Sequence, residues 1–244
     1  MRPSPAEIVR TLVAGRLAGL VHVACRPGLH HVRHVTDRDG RVLLLVPVVS
    51  DLTAAVRTTG PDRPLAVALD VLDLPPAAGA PSLGRALVSG WVRQLAGAEE
   101  RAAALDFAEV DATGDLLDVG TRFRLCRFEV EQAQWDRAGT RRRIDPMAYA
   151  EAEPDPLHPV EAVLLADLAD RYADRLTAYL CRRLGLAGVD GAPWVERIDR
   201  YGMLVSFGHT GARHRTRLAF TRPVAGHDEL PRLFDEMLHP AAGG

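Results

Sequence analysis

Segment after segment of the N-terminal part alternates apolar and polar residues with the period of two that a half-buried strand requires. Residues 20–25, 30–36, 65–74 and 122–135 read this way, 41–49 is a continuous β-branched and leucine-rich run that reads as a buried strand, and 85–95 is a further strand, all parted by short stretches rich in Gly, Pro and Asp. Gly90, inside one of these strands, points to a bulge or a close backbone approach. Helical spacing intervenes at three places. Ser4 and Pro5 open a helix carrying Ile8 and Leu12, Ser50-Asp51 cap a short helix over 52–59, and 99–110 is amphipathic. Short antiparallel strands with helices inserted between them predict a small barrel rather than a parallel βαβ sheet.

The pattern changes after Ala150-Glu-Ala-Glu-Pro-Asp-Pro-Leu-His-Pro159, an acidic, proline-rich stretch that reads as a linker. Beyond it, apolar residues at 164, 165, 168, 172, 176 and 180 predict one long helix over 160–184. Strands follow at 194–198, 203–207 and 213–220, and a closing helix at 228–238. The expected fold class is therefore α+β: an N-terminal split β-barrel with inserted helices over 1–149, then a C-terminal α-β-β-β-α domain over 157–244.

Composition narrows the partners. The 30 basic residues against 32 acidic ones leave a formal charge of -2, which lacks the basic surplus that nucleic acid binding needs. The run Arg141-Arg142-Arg143 reads as a solvated turn. No stretch approaches the ~20 apolar residues of a membrane helix, and Arg10, Arg16 and His22 interrupt the apolar N-terminal run where a signal peptide needs continuity. A cytoplasmic protein with no membrane partner is expected. Cys25, Cys126 and Cys181 form no CxxC pair, so free buried thiols in a reducing compartment are expected.

No nucleophile elbow, phosphate loop, dinucleotide fingerprint or HExxH motif is present. What remains is a histidine cluster, Leu29-His30-His31-Val32-Arg33-His34-Val35. On a strand, His30 and His34 share one face with Val32, while His31, Arg33 and Val35 share the other. Imidazoles four residues apart lie roughly 13 Å apart on a strand, too far for one tetrahedral zinc. One histidine on a heme iron, with an arginine pairing to a propionate, is easier geometry; rim histidines on an edge strand are the plain alternative. His239 follows the last helix and precedes a small-residue tail. It could swing over a ligand as an axial group, or simply suit a helix C terminus. His22, between Val21 and Val23, is expected in the core.

Several motifs together carry a resemblance. Ala152-Glu-Pro-Asp-Pro156 leading to Glu161, Ile198-Asp-Arg-Tyr-Gly202 and Arg217-Leu-Ala-Phe-Thr-Arg-Pro223 resemble the small C-terminal domain of heme-utilisation proteins of the HugZ kind. In the first part, Asp70-Val-Leu-Asp-Leu-Pro-Pro76, the strand from Gly84-Arg85 to Gly90-Trp91, and Leu116-Leu-Asp-Val-Gly120 resemble the flavin-binding split barrels that include pyridoxamine phosphate oxidase. The resemblance implies a homodimer with heme, less often FMN, at the dimer interface, and in some members oxidative heme degradation by a monooxygenase. It departs at Val49-Ser50-Asp51-Leu52-Thr53, where the flavin phosphate would want a basic residue, and along 160–184, which holds no histidine. The candidate cofactor-binding residues are therefore His239, His34, His31, His30, Arg33 and Arg85, with His239 preferred on the iron and the two arginines on a propionate or phosphate. An FMN-dependent oxidoreductase and a non-enzymatic regulatory binding module are the alternative functions.

Overall fold

The computed structural model describes residues 1–37, 41–59, 64–185, 192–208 and 213–238. These divide into two compact units, one built from 4–74 and 83–154, the other from 1–3, 75–82 and 155–244.

In the first unit six antiparallel strands close on themselves. They are β1 (Gly19–Val23), β2 (His30–Thr36), β3 (Val42–Pro47), β4 (Leu65–Leu72), β5 (Arg85–Gln94) and β6 (Phe123–Arg137). Their order is β3-β2-β1-β4-β5-β6, and β3 pairs back onto β6 to complete the barrel, which removes the open edges a flat sheet would leave. A seventh strand, β7 (Thr140–Ile144), adds to β6 outside the ring. It is the triple-arginine run, which sequence reasoning placed in a turn: only Ile144 is buried, so the strand shows almost no alternation. The register between β5 and β6 shifts at Ser89/Gly90. A Cβ at Gly90 would collide with the Glu129 carbonyl, so glycine is required where the backbones come closest.

The barrel interior is filled by Val21, Val32, Leu44, Leu69, Val88 and Phe128. α1 (Pro5–Val13), α2 (Asp51–Thr59) and α4 (Pro146–Glu151) all turn their apolar residues into this same cluster. Ser4 starts α1 as expected, its Oγ accepting from Glu7 N at 3.2 Å while Glu7 reaches back to Ser4 N at 2.7 Å. A different helix serves the outside. α3 (Gly97–Val110) brings Ala103 and Phe107 onto Val35, Leu43, Leu45 and Leu125, the outward residues of β2, β3 and β6.

The second unit stacks α5 (Glu161–Arg171), α6 (Ala173–Leu184) and α7 (Leu230–Leu238) on a three-stranded antiparallel sheet. The sheet order is β10 (His214–Ala219), β9 (Gly202–Phe207), β8 (Trp194–Asp199). Leu168, Leu180, Met203, Val205, Leu218 and Phe234 form its core. The single helix expected over 160–184 is broken at Tyr172. Tyr172 lies 5.3 Å from the Phe234 ring; neither proline nor glycine marks the break. Arg197 and Glu161 form a buried ion pair, Nη2 to Oε2 at 2.7 Å and Nε to Oε1 at 3.0 Å. Arg197 Nη1 also donates to Pro81 O at 3.1 Å, and Arg215 Nη2 to Gly79 O at 3.4 Å, so the 75–82 segment is tied into this unit.

Candidate functional site

The strongest candidate site is a groove of about 330 Å3 on the outside of the barrel, lined by His22, Ala68, Asp70, Arg85, Leu87, Gln134, Asp136 and Arg141. Strand alternation explains its membership. β1 turns Val21 and Val23 inward, so His22 faces out; β4 turns Leu69 and Val71 inward, so Ala68 and Asp70 face out; β5 turns Ala86 and Val88 inward, so Arg85 and Leu87 face out. None of the apolar helix residues of this unit belongs to that side, since α1, α2 and α4 serve the interior and α3 the opposite outer wall.

At the centre of the groove stands Asp70, its side chain only 3% exposed. Arg85 clasps it with two hydrogen bonds, from Nε to Oδ1 and from Nη2 to Oδ2. His22 Nε2 lies 3.6 Å from Asp70 Oδ2. The carboxylate thus holds the Arg85 guanidinium and lies close to the His22 ring, and the Arg85 side chain stays half exposed to the groove. Arg141 stands on the far side, 3.8 Å from Asp136. The arrangement sets two exposed guanidinium groups, each paired with an aspartate, beside an imidazole and apolar Ala68 and Leu87.

The residues singled out from the sequence are scattered. Arg85 is in the groove. His31 is exposed and stands opposite Leu20 on the neighbouring strand, which places it diagonally beside His22 on the same outer face. Arg33 is held by Asp111 and Asp115 at 3.4 and 3.5 Å, beyond the end of α3. His30 sits at the start of β2, half-buried. His34 points the other way, into the barrel core at 1% exposure. Neither of its ring nitrogens meets a hydrogen-bond partner among the described residues, and burial lowers its pKa to about 4. It cannot reach a ligand outside the wall. His239 lies outside the described residues.

Two expectations need correction. His22 is not a core histidine: its side chain is 43% exposed. The same alternation that buries Val21 and Val23 was the available signal. Of the cysteines, Cys126 is buried and Cys181 partly so, but Cys25 is exposed. Burial pushes the Cys126 thiol up to about 12, so it is chemically inert. Asp70 and Arg141 were missed as site residues because a sequence does not show which outward positions of five strands come together.

No group of three or more His, Cys, Asp or Glu side chains suited to a metal ion forms among the described residues. No described helix is long and apolar enough to cross a membrane.

No family model and no curated protein matches the sequence. Solved structures do. A heme binding protein from Mycobacterium smegmatis is similar over 98% of this chain and 97% of its own, with a TM-score of 0.73 and 22% identity. A protein of unknown function from Agrobacterium tumefaciens matches over 95% and 94%, at a TM-score of 0.44 and 15% identity. A protein related to general stress protein 26, of the pyridoxinephosphate oxidase family, from Clostridium acetobutylicum, matches over 54% of this chain and 87% of its own, at 0.40 and 11%. The chain is thus an α+β protein in which a split barrel is followed by a small three-stranded unit, and it shares that whole-chain fold with the mycobacterial protein.

Proposed function

We propose that this protein binds heme on the outer face of its barrel. The observation that carries the reading is the groove itself. It sets Arg85 and Arg141, paired with Asp70 and Asp136, beside an imidazole and over Ala68 and Leu87, on a face that no described helix of the barrel unit serves. The whole-chain likeness to a protein described as heme binding supports it. The fit lies in the two arginines: each is paired with an aspartate of the same lining yet keeps an exposed side chain, at 52% for Arg85 and 71% for Arg141, so it can share its N–H groups with a propionate, and the small apolar floor suits a porphyrin. Heme would supply the redox-active iron, while the protein holds its edge, fixes its orientation and excludes water from one side.

About 330 Å3 is at the lower end for a ligand pocket, so one chain forms a single wall of the site. A second copy related by a two-fold axis would supply the other wall, and the partly exposed Leu72 and Trp91 of the same sheet would be covered with it. A strict monomer by light scattering, with hemin bound or not, counts against this arrangement.

FMN is the weaker ligand at the position where a helix N terminus could take its phosphate. At α2, Ser50 Oγ already accepts from Thr53 N at 3.1 Å, and Asp51 puts a negative charge in the first turn. Titration with hemin, followed at the Soret band, tests the proposal. One hemin per chain is expected, with FMN giving no flavin spectrum on the protein. Absence of any hemin-dependent band would leave the non-enzymatic binding module as the better reading. Incubating the complex with ascorbate then shows whether bound heme is degraded.

A further inference from the structure

We propose that protonation of His22 switches the groove toward anionic ligands, so that heme is held tighter in mild acid than above neutral pH; the inference rests on the heme reading above. The fixed charges of the lining cancel. Arg85 is paired with Asp70 and Arg141 with Asp136, two guanidinium groups against two carboxylates. Ala68, Leu87 and Gln134 add no charge. Among the described residues of the lining, His22 is then the one group left to set the net charge. Imidazole is also the side chain whose charge changes between pH 5 and 8. Deprotonated, it leaves the groove neutral; protonated, it adds one positive charge.

The geometry makes that charge felt where a carboxylate would bind. His22 Nε2 lies 3.6 Å from Asp70 Oδ2, the same oxygen that accepts from Arg85 Nη2. An imidazolium there draws on a carboxylate already committed to Arg85, and the oxygen is shared between two cations. Arg85, whose side chain is half exposed, gives up part of its hold on Asp70 and has N–H groups to share with a propionate. Convergence on one atom couples the two groups: what the imidazole gains, the guanidinium offers to the ligand.

The charged and titratable groups around His22 come from every neighbouring strand. Asp70 stands on β4, Arg85 on β5, Asp136 on β6 and Arg141 on β7. Asp136 also acts on Arg85 by its charge. His31 of β2 lies diagonally beside His22, exposed on the same outer face. The Asp70 carboxylate is 3% exposed and weakly screened, whereas His22, at 43%, is open to protons from solvent. By linkage, a dianionic ligand that prefers the protonated groove raises the pH at which His22 loses its proton, by the same factor. Binding therefore strengthens as pH falls through that titration and weakens as pH rises.

Hemin titrated into wild-type protein, His22→Gln and His22→Lys between pH 8 and pH 6 tests this, with native folding checked by circular dichroism. Hemin's own titration is common to all three and cancels in the comparison. Relative to His22→Gln, wild-type affinity should rise roughly 3- to 10-fold over that range, as one charge about 7 Å from a carboxylate gives at intermediate dielectric. The gain should shrink in high salt. His22→Gln should keep the weak affinity and His22→Lys the tight one, with no pH dependence beyond hemin's own. Zinc protoporphyrin, closed-shell and bearing the same propionates, should raise the pH at which the His22 ring protons titrate by NMR, by about half a pH unit or more. A wild-type profile parallel to that of His22→Gln, or a midpoint that zinc protoporphyrin leaves unmoved, overturns the switch while heme binding stands. If His31→Gln flattens the profile and His22→Gln does not, the assignment to His22 is wrong. A wild-type protein that binds neither hemin nor zinc protoporphyrin removes the heme reading, and this inference with it.

Discussion

The barrel wall has two outer faces, and the chain treats them differently. On β2, β3 and β6 the outward residues are Val35, Leu43, Leu45 and Leu125, and α3 lies over them with Ala103 and Phe107, leaving all of them at 2% exposure or less. On β1, β4 and β5 the outward residues are His22, Asp70, Arg85 and Leu87, and no described helix of that unit covers them. Both faces belong to one continuous sheet with one twist. The difference is one of side-chain chemistry: the covered patch is built on Val35, Leu43, Leu45 and Leu125, with Arg127 at its margin paired to Glu99 of α3, while the open one mixes ionic groups with small apolar ones. A helix packs well on the first and would strand charges on the second. The open face is therefore suited to a partner that brings its own charges, such as a ligand with carboxylates.

Mutations on the two faces should separate them cleanly. Phe107→Ala, under α3, should cost about 3–5 kcal/mol in chemical denaturation, because the cavity cannot collapse between a helix and a sheet. Leu87→Ala should cost no more than about 1 kcal/mol, since its side chain has no helix above it. If the two changes cost the same, the open face is covered by something within the chain, and the comparison collapses.

A second prediction concerns what lies between the faces. Burial holds His34 near pKa 4, whereas the unfolded chain titrates near 6.5. Below pH 6.5 the unfolded state binds the extra proton, so this contribution to stability is complete above pH 6.5 and is lost as pH falls toward 4. The loss is on the order of 3 kcal/mol. His34→Leu should flatten that slope in denaturation series at pH 7 and pH 5. It should also raise stability at neutral pH by about 1–3 kcal/mol, because two unpaired ring nitrogens are removed. Gly19 belongs to this packing, as a Cβ there would sit 2.7 Å from His34 Nδ1. Gly19→Ala should destabilise wild-type protein, and less so in the His34→Ala background.

The smallest expected effect is on the rim. Arg141→Ala should leave stability within about 0.5 kcal/mol, given its exposed side chain. It should weaken hemin several-fold at low salt and less at high salt. An unchanged hemin affinity would move the propionate anchors to Arg85 alone.

Most of this architecture can be read from the chain, because closure of a barrel is written as repeated alternation. β1, β2, β4 and β6 carried that signal, while β3, buried on both faces, reads as an unbroken apolar run. β7 did not, since an edge strand with one buried residue, Ile144, has no second face to alternate with. The candidate site was less legible. Arg85 was found, but Asp70 and His22 become one site only through the order β1-β4-β5, which pairs strands distant in sequence. The motifs that carried the family resemblance turn out to be clasps. Glu161 holds Arg197, Asp155 accepts from Arg200 N at 3.0 Å, and Asp199 holds Arg217 at 2.6 Å. They report how the second unit is tied, which is why they indicated the fold more clearly than the ligand.

The 75–82 segment changes what it means to cut this protein in two. A cleavage at the acidic stretch near residue 155 looks like a clean division, yet it would separate the β8–β10 unit from Gly79 and Pro81, whose carbonyls take hydrogen bonds from Arg215 and Arg197. The Arg197–Glu161 pair would keep its charges but lose the acceptor that completes the arginine's shell. Each unit is thus an incomplete reading of the chain, and any dissection that respects the physics must carry the loop between β4 and β5 along with the C-terminal residues, as a graft rather than a truncation.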